Sequence, residues 1–163
     1  MYVTGEDFYF LTYNLILILN QLKCYEERMF RDHRKLALLI SFVARPRLMN
    51  ILETHANVGK LNREDTDVIS QCHDASLIVA KNLNRLLFSL EQKEVINLRH
   101  DETGRLDISL KRRDYGFLKE PEFEIERNNL ETLRRRIQRI QSLSYDTLVE
   151  RLILGLGARA WRF

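Results

Sequence analysis

Between Asp74 and Lys111 the hydrophobic period of the chain changes from helical to strictly alternating. Ser76 to Gln92 reads as helix, with a two-sided amphipathic face of Leu77, Ile78, Lys81, Leu83, Leu86, Leu87 and Leu90. From Glu94 the pattern changes. Ile96 and Leu98 alternate with Asn97 and Arg99, and Leu106, Ile108 and Leu110 alternate with Asp107, Ser109 and Lys111. The polar run Asp101-Glu-Thr-Gly104 between them supplies a turn. Alternation on both sides of a turn ending in Gly predicts a β-hairpin over Glu94–Lys111 with one buried face and an exposed wing, with room for one extra short strand. A helix running directly into such a hairpin is the core of a winged-helix module.

The flanking segments read as helices. Thr4 stands three residues before Asp7, a start signal for a helix from Gly5 to Leu22 that is apolar nearly all round, so it belongs in the core or beneath a partner. Asp32 is a candidate cap for a second helix with the stripe Leu36, Leu39, Ile40 and Val43. Pro46 restarts the chain into a short third helix, with Leu48, Ile51 and Leu52 inward, ending before Gly59. Asn62 and Asp65 mark a long helical stretch to Gln92, predicted to break near His73-Asp74 with Asp74 capping the second piece. After a connector containing Gly116 and Pro121, Glu122 to Leu143 reads as one extended helix. Ser144 then caps a last one carrying Leu148, Leu152 and Ile153.

Composition narrows the function. With 163 residues, 45% hydrophobic and 30% charged, the chain is an ordinary globular domain, and 6 Gly and 2 Pro favour a mainly helical one. The formal charge of +3 is concentrated late: residues 111–163 hold 12 Lys and Arg against 8 Asp and Glu. That excess is too small to imply nucleic-acid binding by itself. Cys24 and Cys72 lack ligand-like spacing and read as buried free thiols in a reducing compartment. The apolar run Phe8–Leu19 is short for a membrane span, contains Thr12 and Asn14, and follows acidic residues rather than a basic leader. A cytoplasmic protein is expected.

Candidate chemistry is sparse. The sequence holds no Gly-rich phosphate loop, nucleophile elbow or Cys-x-x-Cys pair. Glu91-Gln-Lys93 lacks the strand-borne acid that a nuclease Glu-x-Lys motif needs. His73-Asp74, with His33 or His55 and Asp146, could sketch a helical metal phosphohydrolase, but four His in the chain make that coincidence cheap. Neither catalysis nor a metal or other cofactor is expected. Weak nucleic-acid contact could come from Arg99, Arg105, Arg112 and Arg113 around the wing, or from Arg134, Arg135, Arg136 and Arg139. Charge runs of that kind are more often solvated helix backs. Leu130, Leu133, Ile137 and Ile140 recur at near-heptad spacing and form a candidate partner-docking stripe, and Trp161 near the end is a candidate anchor.

Four stretches carry a family resemblance: Phe8–Leu19, Phe30–Val43 with Pro46-Arg-Leu after it, Arg85–Leu98 running into the hairpin, and Leu143–Leu152. In this order the chain resembles the small middle components of bacterial ABC-three-component systems, among them the accessory subunit of Lamassu-type anti-phage defence. The resemblance implies an adaptor that sits with an SMC-like ABC ATPase and an effector, commonly a nuclease, and makes non-specific DNA contact at most through the complex. A stand-alone winged-helix transcription regulator is the competing reading, although the helix before the hairpin offers few base readers. The expected architecture is mainly α: an N-terminal helical part at 1–60, a winged-helix-like core with one β-hairpin wing at 61–112, and a C-terminal helical extension at 113–163.

Overall fold

The computed structural model describes residues 5–55 and 62–154, with backbone course alone at 5–7, 54–55 and 153–154. Helix α1 (Gly5–Gln21) is followed by α2 (His33–Val43), α3 (Pro46–His55) and the 30-residue α4 (Arg63–Gln92). The hairpin strands are β1 (Ile96–His100) and β2 (Leu106–Leu110). Two 3-10 turns at Gly116–Lys119 and Pro121–Phe123 lead to α5 (Glu124–Arg136). Helix α6 (Tyr145–Val149) then widens into a π-type turn over Glu150–Leu154. The protein is mainly helical with a two-stranded antiparallel hairpin. The predicted cap at Thr4, the stop at Gly59 and Trp161 lie outside the described residues.

Helix α2 is the central element, since all but its first two residues are buried. One hydrophobic core joins residues from all three sequence segments, among them Leu15 and Ile18 of α1, Leu39 of α2, Leu87 of α4, Ile108 of β2 and Leu133 of α5. Asn129 on α5 donates to the Val43 carbonyl at 2.9 Å, satisfying an open carbonyl at the end of α2. Among the described residues no helix is long and apolar enough to cross a membrane.

Two helices end without glycine. Lys23 (φ 56°) and Glu94 (φ 60°) take the left-handed position that Gly usually fills after a helix. In each case the next two amides reach back into the last turn. Glu94 N–H donates to Glu91 O, Val95 N–H to Leu90 O, and correspondingly Lys23 to Asn20 and Cys24 to Leu19. This double closure turns the chain sharply, so α4 delivers Ile96 directly into β1.

The hairpin occurs where it was predicted, registered Ile96↔Leu110 through His100↔Leu106. Its loop is organised by Asp101, whose Oδ1 accepts from Thr103 N, Thr103 Oγ1 and Arg105 N at 2.6–2.9 Å, while Gly104 sits at φ 80°. It is not an exposed wing. All of β2 is buried, including the nominally outward Asp107 and Ser109, whereas β1 grades from buried to exposed. The reason is the segment Cys24–Phe30, which pairs along the free edge of β2. Phe30 and Ile108 exchange both backbone bonds (2.7 and 2.9 Å), and Leu110 N donates to Cys24 O at 2.8 Å. Ser109 Oγ donates to Glu26 O at 2.7 Å, so its polar position is satisfied rather than solvated.

Two predicted helix boundaries are overturned. Helix α4 runs unbroken through His73-Asp74, so Asp74 caps nothing. No Gly or Pro interrupts residues 60–103, and Ser76 Oγ satisfies itself on the His73 carbonyl at 2.6 Å. Conversely, the helix expected to reach Leu143 stops at Arg136. Ile137 is extended (φ −121°, ψ 104°) and Arg139 is left-handed (φ 57°). The carbonyls thus released have tertiary partners: Lys35 Nζ donates to Ile140 O at 2.7 Å and Arg31 N to Gln141 O at 3.0 Å. The Ser144 cap forms as predicted, accepting from Thr147 N at 3.2 Å.

Candidate docking surface

The start of α2 holds the densest polar cluster of the described core. Asp32 adopts φ 69° at the N-cap and accepts from Arg34 N and from the Arg34 guanidinium at 2.7–3.2 Å. Its own N–H donates to Asp107 Oδ1 at 3.1 Å. Burial alone would raise the Asp32 carboxyl, but the hydrogen bonds and charge of Arg34 outweigh it and hold the group below its ordinary value. His33 Nδ1 accepts from Leu106 N at 3.2 Å, and burial lowers its affinity for a second proton. Lys35 is fully buried beneath the 137–143 turn, with its ammonium 4.6 Å from the Phe30 ring centroid. Burial draws its pKa down to about 8. Asp32 and His33 bond to the hairpin at Asp107 and Leu106, and Lys35 to the 137–143 turn at Ile140, so these contacts fasten the fold to α2.

That cluster also claims two of the predicted DNA-contacting arginines. Arg105 lies 3.8 Å from Asp32 and Arg99 3.9 Å from Asp107. Arg112 and Arg113 leave the second strand over the rings of Tyr115 and Tyr25, at 5.1 and 5.3 Å. The cluster on α5 divides among different partners. Arg134 and Arg135 share Glu131 at 3.8 and 3.9 Å, Arg134 also reaches Gln21 O, and Arg136 reaches Glu53 O at 3.4 Å. Arg139 lies beyond the helix end in an exposed turn. The eight arginines therefore sit on several elements, most of them with a carboxylate, carbonyl or aromatic partner of their own.

The predicted docking stripe is not available for docking. Leu130, Leu133, Ile137 and Ile140 are 0–4% exposed within this chain. Ending α5 at Arg136 folds Ile137 and Ile140 inward, while α5 itself, with Leu130 and Leu133 buried, packs on α1, α2 and α3. The apolar residues left in water lie elsewhere. On α4, Leu77 (46%), Ile78 (50%) and Phe88 (46%) are exposed, together with Lys81 and Arg85. At about 100° per residue these five positions fall within an arc of about 100°, along about 17 Å of helix. The opposite side, Ile69, Cys72, Ser76, Leu83, Leu87 and Leu90, is buried. The two-sided pattern seen in the sequence is thus one core face and one free face.

A second exposed group lies on α1 and the first turn of α5: Tyr9 (67%), Phe10 (43%) and Ile125 (60%). Tyr9 stacks on Tyr13 at 6.4 Å, and Tyr13 in turn contacts Phe117 and Phe123 at 4.9 and 5.5 Å. The prediction that α1 is apolar all round for core or for a partner therefore divides along its length. Leu15 to Leu19 are core, and the Tyr9 end faces solvent.

Among the described residues no group of three or more His, Cys, Asp or Glu side chains is placed to hold a metal ion. His73 and Asp74 lie in the middle of α4, and Asp146 is an exposed residue in the first turn of α6. Comparison with protein-family models, with curated proteins and with solved structures finds no match to this chain. Sequence reasoning missed Asp32–Lys35 as a fastening cluster. A signal was present: four consecutive ionisable residues before a strongly apolar helix cannot all stay solvated once the helix is central.

Proposed function

We propose that this chain is a non-catalytic adaptor that binds its partner through the Leu77–Phe88 face of α4. The observation that carries the reading is the arc of α4 on which Leu77, Ile78 and Phe88 are each about half exposed while the opposite side of the helix is buried. Single exposed apolar residues are ordinary, whereas three on one arc of a helix, with Lys81 and Arg85 between them, suit a partner surface that is apolar and carries acids. The partner is an SMC-like ABC ATPase, with an effector nuclease in the same complex, as the resemblance to ABC-three-component and Lamassu-type accessory subunits implies. Such a complex operates in the cytoplasm. The α4–hairpin unit is a winged-helix-like module used to dock protein rather than to read bases, since the second strand of its hairpin is buried and its free edge is covered by the Cys24–Phe30 segment. Any non-specific DNA contact falls to the exposed arginines of the hairpin, of the 112–113 segment and of the 134–139 segment.

The test is co-purification from native cells with wild type and with an Ile78→Asp/Phe88→Asp variant. Both substitutions lie on the exposed face, so circular dichroism should be unchanged. An ATPase recovered with wild type and lost with the folded variant supports the assignment. Recovery with both places the docking surface elsewhere, and recovery with neither removes the adaptor reading.

A further inference from the structure

The exposed side chains of α4 are ordered by charge as well as by face. Asp67 and Asp74 come before Leu77 and Ile78, while Lys81, Arg85 and Phe88 come after, and all seven are exposed. At about 100° per residue they share one arc of about 100°. The helix runs Arg63–Gln92, so Leu77 and Ile78 stand at its midpoint. Asp74 and Lys81 then lie about 5 Å to either side of that point, at about 1.5 Å per residue. Asp67 lies about 16 Å along the acidic side and Arg85 about 11 Å along the basic side. Neither the two acids nor the two bases have an ion-pair partner among the described residues. Lys81 and Arg85 are one turn apart, a like-charge spacing that weakens a helix until an acid is brought to it.

We infer that this face is covered by a second copy of the chain, with the two α4 helices antiparallel about a twofold axis at the Leu77–Ile78 step. The axis sets Leu77 and Ile78 on the same pair in the second copy. It sets Asp74 opposite Lys81 of the second copy, and Arg85 of that copy falls between Asp67 and Asp74. The symmetry repeats these contacts at the other end, so the free acids of each copy meet the free bases of the other. A parallel pair would bring like charges side by side, and the antiparallel pair also opposes the two helix dipoles favourably. Phe88, whose ring lies 6.4 Å from that of His100, adds apolar surface at each end. The inference rests on the reading of this face as a docking surface and adds its regulation: a partner protein takes the face only by displacing the second copy.

Sedimentation equilibrium of the purified full chain tests it. An interface of two single helices is at the small end of the size range, so a dimer Kd of about 10–100 µM is expected at low salt, weakening at about 1 M salt. Asp74→Lys and Lys81→Glu should each weaken the dimer at least about tenfold, because each sets like charges together twice per dimer. The double variant should dimerise at least about threefold more tightly than either single one. Positions 74 and 81 are about 10 Å apart along one helix, so that recovery reports contact between copies. Both positions are exposed, and circular dichroism should be unchanged. A chain that stays monomeric up to about 500 µM overturns the inference, being well above the expected Kd. A dimer indifferent to the single changes overturns it too, as does a double variant with no recovery. None of these outcomes involves an ATPase, so the co-purification still decides the adaptor reading by itself.

Discussion

Replacing Lys35 by Met separates two opposing energies at the centre of the fold. The lysine is 0% exposed, donates to Ile140 O at 2.7 Å, and has a pKa drawn from 10.5 to about 8, chiefly by burial. Asp32, Cys24 and Asp107 act the other way, and Arg31 adds to the depression. Because the folded pKa is the lower one, the unfolded chain holds more protons between pH 8 and pH 10.5. Stability from this group is therefore fully penalised below pH 8 and recovers as pH rises through that window. At about 1.4 kcal/mol per pH unit, the penalty at neutral pH is about 3 kcal/mol. Methionine keeps the aliphatic stem and removes the charge, but it leaves the Ile140 carbonyl without its donor, which costs about 1–3 kcal/mol. The variant should then be between equal to wild type and about 2 kcal/mol more stable at about pH 7. Wild type should gain about 1 kcal/mol on it by about pH 9. Urea unfolding of both proteins at constant ionic strength measures this directly. Above that pH both chains lose stability, the wild type less steeply up to pH 10.5, since the unfolded thiols of Cys24 and Cys72 ionise from 9.0 while burial holds the folded ones at about 11. Parallel stability profiles from neutral pH to about pH 9 would refute the reasoning, because a solvated ammonium has no such penalty.

Leu133→Ala should cost about 2–5 kcal/mol and lower the denaturant midpoint, as expected for a fully buried leucine rather than a docking residue. A variant that keeps wild-type stability would return Leu133 to the list of interface candidates. Asp107→Ala should cost about 1–3 kcal/mol, since it strands the buried Asp32 N–H that now bonds at 3.1 Å, and the loss should be read by thermal unfolding. Both cysteines are buried and free, with pKa about 11, so a thiol reagent at neutral pH should label the native protein slowly and the urea-unfolded chain rapidly. Fast labelling of the native chain would contradict that burial.

Local chemistry alone determined the elements whose signals are short-range. The hairpin was readable because Ile96, Leu98, Leu106, Ile108 and Leu110 alternate around Asp101–Gly104, and the caps at Asp32, Asn62 and Ser144 follow from side chains that reach amides two or three residues ahead. The buried free thiols were equally legible. What the sequence left undecided depends on contacts far along the chain. Residues Leu130 to Ile140 carry the same apolar spacing whether they face a partner or the core; the helix ends at Arg136, and bonds from Lys35 and Arg31 to the carbonyls of Ile140 and Gln141 hold the following turn against the core. Asp107 and Ser109 occupy outward hairpin positions, and only the pairing of Cys24–Phe30 along β2 makes them interior. The exposed face of α4 was hidden for the same reason: Leu77, Ile78 and Phe88 resemble Leu83, Leu86 and Leu90 in every local respect. Periodicity shows that a helix has an apolar face, but which face is covered depends on the elements packed against it.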